Sequence, residues 1–281
     1  MDDPRRVLAR HALDAKKSWG QNFLIDRNVL DKIARAAAAG ADDVVVEIGA
    51  GTGALTGALA AAVPAPRRII AVERDPDMLR VLHAELGAQT LVEVRAADAA
   101  AFDFRAESAA AGRPLVVLGN LPYQIGSVLL LALAAAGGAI ARAVVMVQKE
   151  MAQRVVAPSG SKTYGRLSVM IQQRMAVRIL FHVGPGAFHP QPRVTSSVLA
   201  LEPRATPLAP VADHAAFERV VKEAFGTRRK MLRRALEPAY GALALTRAFE
   251  QTGIAGTRRA EELTVADFAR LTDALTAAAR G

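Results

Sequence analysis

The sequence predicts an α/β fold built on a parallel β-sheet with helices on both faces, followed by a small all-α domain. Short β-branched runs alternate with helical segments from residue 44 to residue 148, which is the pattern of such a sheet. The first run leads into a glycine cluster, as a buried strand leads into a tight turn. Residues 203–210 contain three prolines and no hydrophobic periodicity, so they are predicted to be a linker. We therefore predict one domain over 1–203, with an N-terminal arm over 1–25, and a second domain over 204–281.

Each element is placed by its hydrophobic pattern and its flanking residues. Strands are predicted at 44–48, 68–72, 90–94, 115–118 and 143–147, and further strands at 177–181 and 194–201 close the sheet. A helix is predicted at 26–39, with Asp26 as its N-cap, and others begin near Ala54, Pro76, Ile125 and Lys149 or run from Tyr164 through Arg174. After the linker, four helices are predicted at 213–225, 227–236, 242–251 and 261–278.

Composition narrows the classes of function. The chain has 281 residues and a formal net charge of +9, which favours a polyanionic partner. It has no cysteine, which excludes disulfides, thiolate metal sites and a cysteine nucleophile. Its five histidines lack the spacing of a zinc site, so no metal is expected. The apolar stretch 128–141 is shorter than the ~20 residues of a membrane span, and the N-terminus has no apolar signal region. We therefore expect a soluble, cytoplasmic protein.

The glycine turn indicates the ligand. Residues 47–53 read Glu-Ile-Gly-Ala-Gly-Thr-Gly, and the third glycine comes one residue earlier than in a dinucleotide-binding turn, which makes phosphate the weaker interpretation. Glu73 ends the next predicted strand, where a ribose-binding acid stands in doubly wound folds. Glu47 would repel a pyrophosphate but suits a cationic ligand. S-adenosylmethionine combines an adenosine, an amino acid and a sulfonium without phosphate, so it fits. The alternative is a strand, turn and helix with solvated acids.

Polar residues follow two more predicted strands, at the edge where ligands bind such sheets. Asp98 could accept a hydrogen bond from the adenine amine of the cofactor, although an acid in a loop is more often only solvated. Residues 120–123 read Asn-Leu-Pro-Tyr, in which the proline restricts Leu121 to an extended conformation. The Asn120 amide and the Leu121 carbonyl could then accept hydrogen bonds from the exocyclic amine of a base. Tyr123 would stack on that base.

Three further features leave two interpretations open. Phe188, in a rigid glycine and proline loop, is either the opposite face of a base clamp or the buried residue of a surface turn. Residues 16–24 could close over the cofactor or touch RNA, or could be a solvated tail anchored by Trp19 and Phe23. A basic cluster on a predicted helix is either an RNA-phosphate track or a solvated face. Its members are Arg228, Arg229, Lys230, Arg233 and Arg234.

With these residues in place, the chain resembles the bacterial small-subunit ribosomal RNA adenine dimethyltransferases of the KsgA type. The resemblance runs from residue 20 to the last helix. Its motifs are Gly-Gln-Asn-Phe-Leu at 20–24, the glycine turn at 47–53, Glu-Arg-Asp at 73–75, Asn-Leu-Pro-Tyr at 120–123, Gln-Lys-Glu at 148–150, Tyr-Gly-Arg-Leu-Ser-Val at 164–169 and Arg-Arg-Lys at 228–230. Ala97, Thr195, Trp19 and His189 depart from the family pattern.

The resemblance implies a Rossmann-like class I methyltransferase sheet with a C-terminal helical RNA-binding domain. It implies dimethylation at N6 of two adjacent adenosines in a loop near the 3′ end of 16S rRNA, with S-adenosylmethionine as donor and S-adenosylhomocysteine as product. The assembling small ribosomal subunit would be the partner and the enzyme a monomer. The cofactor residues carried over are Asn22, Leu24, Gly49, Gly51, Glu73, Asp98 and Asn120, and those for the target base are Asn120, Leu121, Tyr123 and Phe188.

Rival functions differ in substrate or in catalysis. A large-subunit rRNA adenine methyltransferase of the macrolide-resistance type shares the glycine turn and the base clamp, but the full helical domain and residues 164–169 favour the small-subunit enzyme. A non-catalytic assembly or transcription factor on the same fold would not need an intact Asn-Leu-Pro-Tyr motif. A DNA adenine methyltransferase is the weakest alternative.

Overall fold

The computed structural model describes residues 2–16, 19–122, 125–227 and 230–278 and separates into two compact units. The first unit comprises the chain up to Ala152 together with Ala176–Pro203, and the second comprises Gln153–Met175 with the chain from Arg204 onward. The predicted linker, residues 203–210, begins at the boundary between Pro203 and Arg204. The second unit also includes segment Gln153–Met175, which the predicted boundary placed in the first domain. Apolar side chains of this segment, such as Val169, pack into the core of the second unit.

The first unit contains an α/β sandwich. Its helices are α1 (Pro4–Arg10), α2 (Arg27–Ala37), α3 (Ala54–Ala60), α4 (Pro76–Leu86), α5 (Phe104–Ala111), α6 (Gly126–Ala136) and the start of α7 (Lys149–Val156). Its strands are β1 (Phe23–Leu24), β2 (Val44–Ile48), β3 (Arg68–Glu73), β4 (Val92–Ala96), β5 (Leu115–Asn120), β6 (Ile140–Gln148), β7 (Met175–Val183), β8 (Phe188–His189) and β9 (Ser196–Pro203).

Seven strands form one sheet in the order β4-β3-β2-β5-β6-β9-β7. The pairs from β4 through β6 are parallel, whereas β9 runs antiparallel to β6. All five residues of the central strand β2 are buried, as expected for a parallel strand with both faces covered. The register pairs Ile48 with Val72 and with Gly119, so the ends of β2, β3 and β5 lie side by side. This alignment sets the position of every residue that follows these strands.

The structure corrects several predicted elements of the first unit. Strand β4 starts two residues later than predicted, because the Val92 amide donates to Gln89 O in a turn. Helices α1 and α5 were missed. Helix α1 has an N-terminal signal, since Asp3 accepts from the Arg5 amide and Pro4 occupies the first turn. The N-cap predicted at Asp26 is confirmed by its hydrogen bonds to the first amides of α2.

The second unit is helical. It contains α8 (Arg166–Gln172), α9 (His214–Gly226), α10 (Leu232–Tyr240), α11 (Ala242–Thr252) and α12 (Val265–Ala278). Phe217, Leu236 and Phe268 are almost fully buried in its core, and the rings of Tyr164 and Phe225 meet edge to face at 6.1 Å between centroids. Across the described part of the chain, no helix combines the length and the apolar character that crossing a bilayer requires.

The helix predicted to begin at Thr227 begins instead at Leu232, which is a correction with a clear cause. Met231 forms an isolated antiparallel bridge with Arg259. The next two amides are bonded to the same loop: Leu232 N donates to Arg258 O at 2.8 Å and Arg233 N to Gly256 O at 3.0 Å. These carbonyls satisfy amides that a helix N-terminus leaves without partners. The helix predicted at 261–278 likewise starts later, at Val265, after one turn of 3-10 helix.

Candidate active site

One pocket lies at the carboxyl ends of β2, β3 and β5, where ligands bind in open parallel sheets. It is lined by all the residues predicted to bind the cofactor: Asn22, Leu24, Gly49, Gly51, Glu73, Asp98 and Asn120. Leu121 lines it as well. The parallel register explains this convergence, because neighbouring strands end at one edge and their following residues meet there.

The glycine turn has the backbone that its sequence predicts. Gly49, Gly51 and Gly53 have φ values of +72°, +55° and +82°, a region that other residues rarely adopt. The amide of Gly49 donates to Val72 O at 2.9 Å, which ties the turn to the next strand. A Cβ on Gly51 would lie 3.1 Å from the Phe23 ring. Glycine at this position therefore lets the N-terminal arm pack directly on the turn.

Glu73 is fixed by main-chain donors. One carboxylate oxygen accepts from the Gly51 amide at 2.9 Å, and the other accepts from the amides of Arg74 at 2.8 Å and Asp75 at 3.0 Å. Since a carboxylate oxygen has two acceptor sites, the group can still accept from a ligand hydroxyl. The side chain is thus oriented at the pocket before any ligand arrives.

Glu47 is a buried carboxyl group on the pocket wall. Its relative exposure is 2%, and it accepts a 2.5 Å hydrogen bond from Thr56 Oγ1. The pKa of Glu47 is raised to about 8, mainly by burial; the hydrogen bond from Thr56 lowers it, and the nearby negative charge of Glu73 adds to the rise. A cationic group bound beside Glu47 would favour its charged form.

The ionisable residues of the pocket wall are mostly acidic. Among the lining residues in the described ranges, Glu47, Glu73 and Asp98 are acidic and Arg74 alone is basic. Arg74 lies 3.5 Å from Asp98, so its charge is already partly matched. This balance suits a ligand with cationic groups and disfavours one that carries phosphate.

Asn120 attaches the N-terminal arm to the end of the pocket formed by the residues that follow β5. Its side-chain Nδ2 donates to Asn22 O at 3.0 Å, and the Asn22 side chain donates to Gly20 O at 2.9 Å. Strand β1 of the arm also pairs with β8, with Leu24 opposite Phe188. The Asn120 amide therefore joins the arm to the end of β5, a contact that the sequence did not reveal.

The predicted base clamp is only partly described. The Leu121 amide donates to Met146 O at 3.0 Å, which continues the β5–β6 ladder and sets the course of the chain into Pro122. Tyr123 lies outside the described residues. Phe188 is 2% exposed and packs in one core cluster with Leu24, which lines the pocket, whereas Phe188 itself does not. Its predicted stacking on a base stays a prediction, and it requires the ring to leave this core.

The structure describes three of the five residues of the predicted RNA-binding cluster. Arg228 and Arg229 lie outside the described residues, while Lys230 and Arg234 are exposed. Arg233 is engaged within its own unit: its guanidinium stacks 5.5 Å from the Phe249 ring centroid and donates to Thr246 Oγ1 at 3.1 Å. Lys230 precedes α10, whereas Arg233 and Arg234 lie in its first turn, because this helix begins at Leu232.

Sequence reasoning missed the buried contacts of Asp75 beside the pocket. This carboxylate is fully buried and accepts from Lys16 Nζ at 2.6 Å and Gln21 Nε2 at 2.7 Å. Trp19 and Arg74 line the pocket nearby. The Glu-Arg-Asp motif at 73–75 was the available signal, but only its first residue was given a role.

The sheet order, with one antiparallel strand, and the acid-flanked glycine turn define a methyltransferase of Rossmann-like fold. The family described as "Ribosomal RNA adenine dimethylase" matches residues 12–277, and the chain belongs to that family. It is therefore an rRNA adenine dimethyltransferase, as the resemblance implied.

Relatives and solved structures agree with this assignment. Ribosomal RNA small subunit methyltransferase A of Anaeromyxobacter sp. (strain K) is 47% identical over 279 residues, which cover 95% of this chain and 96% of that protein. A dimethyladenosine transferase from Plasmodium falciparum aligns with a TM-score of 0.70 and 25% identity over 88% of this chain and 94% of its own. The 23S rRNA methyltransferase ErmE aligns with a TM-score of 0.66 and 26% identity over 91% of this chain and 100% of its own.

The buried carboxyl of Glu47 predicts a pH-dependent stability. Its folded-state pKa of about 8 exceeds the ordinary value of 4.5, so the folded protein holds an extra proton between these values. Stability from this group is therefore lost as pH rises from about 4.5 to about 8. The glutamine of Glu47→Gln does not titrate, so this variant should not lose that stability. The difference in unfolding free energy between the variant and wild type should therefore shift in favour of the variant by on the order of 5 kcal/mol across that range. Urea denaturation at several pH values measures it.

Glu237→Gln is the matched control, since Glu237 is exposed. Its stability should follow the wild-type pH profile. Parallel profiles for Glu47→Gln and the wild type would show that the Glu47 carboxyl does not carry the assigned proton.

Proposed function

We propose that this enzyme uses S-adenosylmethionine to dimethylate N6 of two adjacent adenosines in a loop near the 3′ end of 16S rRNA. It acts as a monomer in the cytoplasm, on assembling small ribosomal subunits. The observation that carries the proposal is that one pocket contains both the glycine turn with Glu73 and the end of β5 with Asn120 and Leu121. A donor and an acceptor of a methyl group can meet there.

The pocket wall suits S-adenosylmethionine. Glu73 would accept from the ribose hydroxyls and Asp98 from the adenine amine, while Gly49 and Gly51 would place the backbone of the turn beside the amino-acid part. Asn22 and Leu24 would cover the cofactor from the arm. When bound, the cofactor supplies a methyl group on a positively charged sulfur. Among the described lining residues, Glu73 and Asp98 favour that charge, and Arg74 is the one basic residue that could meet a phosphate. A cation bound beside the buried Glu47 would also favour the charged form of this carboxyl group.

The residues after β5 would prepare the target amine. The lone pair of an adenine N6 is conjugated with the ring, so this nitrogen is a poor nucleophile. Acceptors on its two N–H groups, from Asn120 Oδ1 and Leu121 O, favour a pyramidal nitrogen whose lone pair faces the donor. The new N–C bond forms as the C–S bond breaks with its electron pair left on sulfur, and the product ammonium then loses a proton to water. Alignment supplies most of the rate enhancement.

Base stacking and phosphate contacts would hold the RNA. Tyr123 and Phe188 are the proposed stacking residues, and a loop adenosine is a sensible target because its extrusion costs little. The basic cluster Arg228, Arg229, Lys230, Arg233 and Arg234 would contact phosphates. The name and the 47% identity of the Anaeromyxobacter relative support the small subunit as substrate, against 26% for the 23S enzyme ErmE.

Methyl transfer to purified ribosomal subunits tests the proposed substrate. With radiolabelled S-adenosylmethionine, unmodified small subunits should incorporate up to four methyl groups on two adenosines, and large subunits should incorporate none. Mass spectrometry of nuclease fragments locates the modified bases. Incorporation confined to the large subunit would replace this proposal by the macrolide-resistance alternative.

The role of Asn120 is tested by Asn120→Ala. Loss of one preorganised hydrogen-bonding group at the reacting atoms typically lowers kcat by about 100-fold or more, and we expect that loss here. Calorimetric affinity for S-adenosylhomocysteine should stay within a few-fold of wild type. Asn28→Ala, at an exposed position on α2, is the control and should leave both quantities unchanged. Normal turnover by Asn120→Ala would remove the assigned role.

The phosphate role of the exposed cations is tested by salt dependence. Lys230→Ala or Arg234→Ala should reduce the slope of log affinity against log salt by about 1 on small subunits, as expected for one lost phosphate contact. Arg233→Ala should in addition lower stability by roughly 0.5–1 kcal/mol, because it removes the stack on Phe249. Arg178→Ala, which changes an exposed arginine of the first unit, is the control. Unchanged slopes in both variants would exclude these residues from the RNA contact.

A further inference from the structure

Part of the N-terminal arm forms a strap beside the pocket, made of Lys16 and residues 19–22. At one end, Lys16 Nζ donates to the buried Asp75 at 2.6 Å, and Gln21 Nε2 donates to the other oxygen of the same carboxylate at 2.7 Å. The Lys16 amide also donates to Gln21 Oε1 at 2.9 Å, which closes the strap on itself. At the other end, Asn22 O accepts from Asn120. The strap thus connects the β3 end of the pocket with the β5 end.

Trp19 is the aromatic residue of the strap. Its ring is approached by the guanidinium of Arg74 at 4.8 Å and by Lys16 Nζ at 5.4 Å, both measured to the ring centroid. Arg74 follows Glu73 directly and lies 3.5 Å from Asp98. Trp19, Arg74 and Asp98 therefore lie next to one another along the part of the pocket where the adenosine of the cofactor is expected to bind.

Trp19 does not act as a core anchor. The anchoring role belongs to Phe23, which is 8% exposed, packs with Val7 and Met78, and covers Gly51. Trp19 is 36% exposed although it lines the pocket. Two cations hold its indole beside the pocket, and the exposed part of the residue is available to contact a flat base.

We propose that Trp19 is a cofactor-binding residue that contacts the adenine of S-adenosylmethionine, with Arg74 and Lys16 as the positioning residues that hold its ring. The inference rests on the proposed function, since it names a contact of the proposed cofactor. It assigns a role to a residue at which this chain departs from the family pattern. In this proposal, Arg74 holds the Trp19 ring in addition to its partial pairing with Asp98.

The fluorescence of Trp19 tests the contact directly, because it is the only tryptophan in the chain. Titration of the wild-type protein with S-adenosylhomocysteine should change the emission of Trp19 in a saturable way, with the Kd found by calorimetry. Methionine alone should leave the emission unchanged, whereas adenosine alone should reproduce part of the change.

Substitution gives the second measurement. Trp19→Ala should raise the Kd for S-adenosylhomocysteine about 10-fold, the scale of one lost base stack. Trp19→Phe, which keeps a ring, should restore most of the affinity. Leu243→Ala is the control, since Leu243 is 67% exposed on α11 in the second unit.

The outcomes separate this inference from the function on which it rests. Calorimetric binding by the wild type, with unchanged Trp19 emission and a normal Kd in Trp19→Ala, would overturn the inference alone. Absence of any binding of S-adenosylhomocysteine to the wild type would overturn the proposed cofactor and this inference together. A melting temperature of Trp19→Ala equal to that of wild type shows that a higher Kd reflects a lost contact and not a lost fold.

Discussion

The hydrogen bond from the Gly51 amide to the Glu73 carboxylate is the interaction on which the rest of the site depends. It joins the turn after β2 to the end of β3, and it exists because the two strands are in parallel register from Val44 opposite Arg68 to Ile48 opposite Val72. A shift of one residue in this register would turn Glu73 toward the other face of the sheet. The arm then packs on the turn through Phe23, so its position also follows from this pairing.

The elements that the sequence predicted well have strong local signals. The buried β-branched run of β2, the glycines after it and Asp26 as a helix cap each depend on nearby residues. The convergence of Glu73, Asp98 and Asn120 at one edge was also predictable, because it follows from parallel strands and needs no side-chain detail. The order of residues along the chain was enough.

The features that the sequence did not reveal depend on contacts between distant segments. The Asn120 side chain donates to Asn22 O across 98 positions, and no local pattern encodes that bond. The predicted start of a helix at Thr227 was wrong for the same reason, since the bridge between Met231 and Arg259 prevails over local helix preference. Phe188 is a third case: the loop sequence fitted both a clamp and a buried turn, and its pairing with Leu24 put the ring in the core.

The start of α10 restricts how the C-terminal unit can vary. Its first two amides are bonded to main-chain carbonyls of the loop at 256–258, and a Cβ on Gly256 would lie 2.7 Å from the Phe249 ring. A side-chain change at Arg258 leaves these bonds intact because they involve only the backbone. An insertion or deletion between Gly256 and Arg258 would move the carbonyls and uncap the helix. Except at Gly256, where a side chain would meet the Phe249 ring, the loop therefore tolerates changes of residue type better than changes of length.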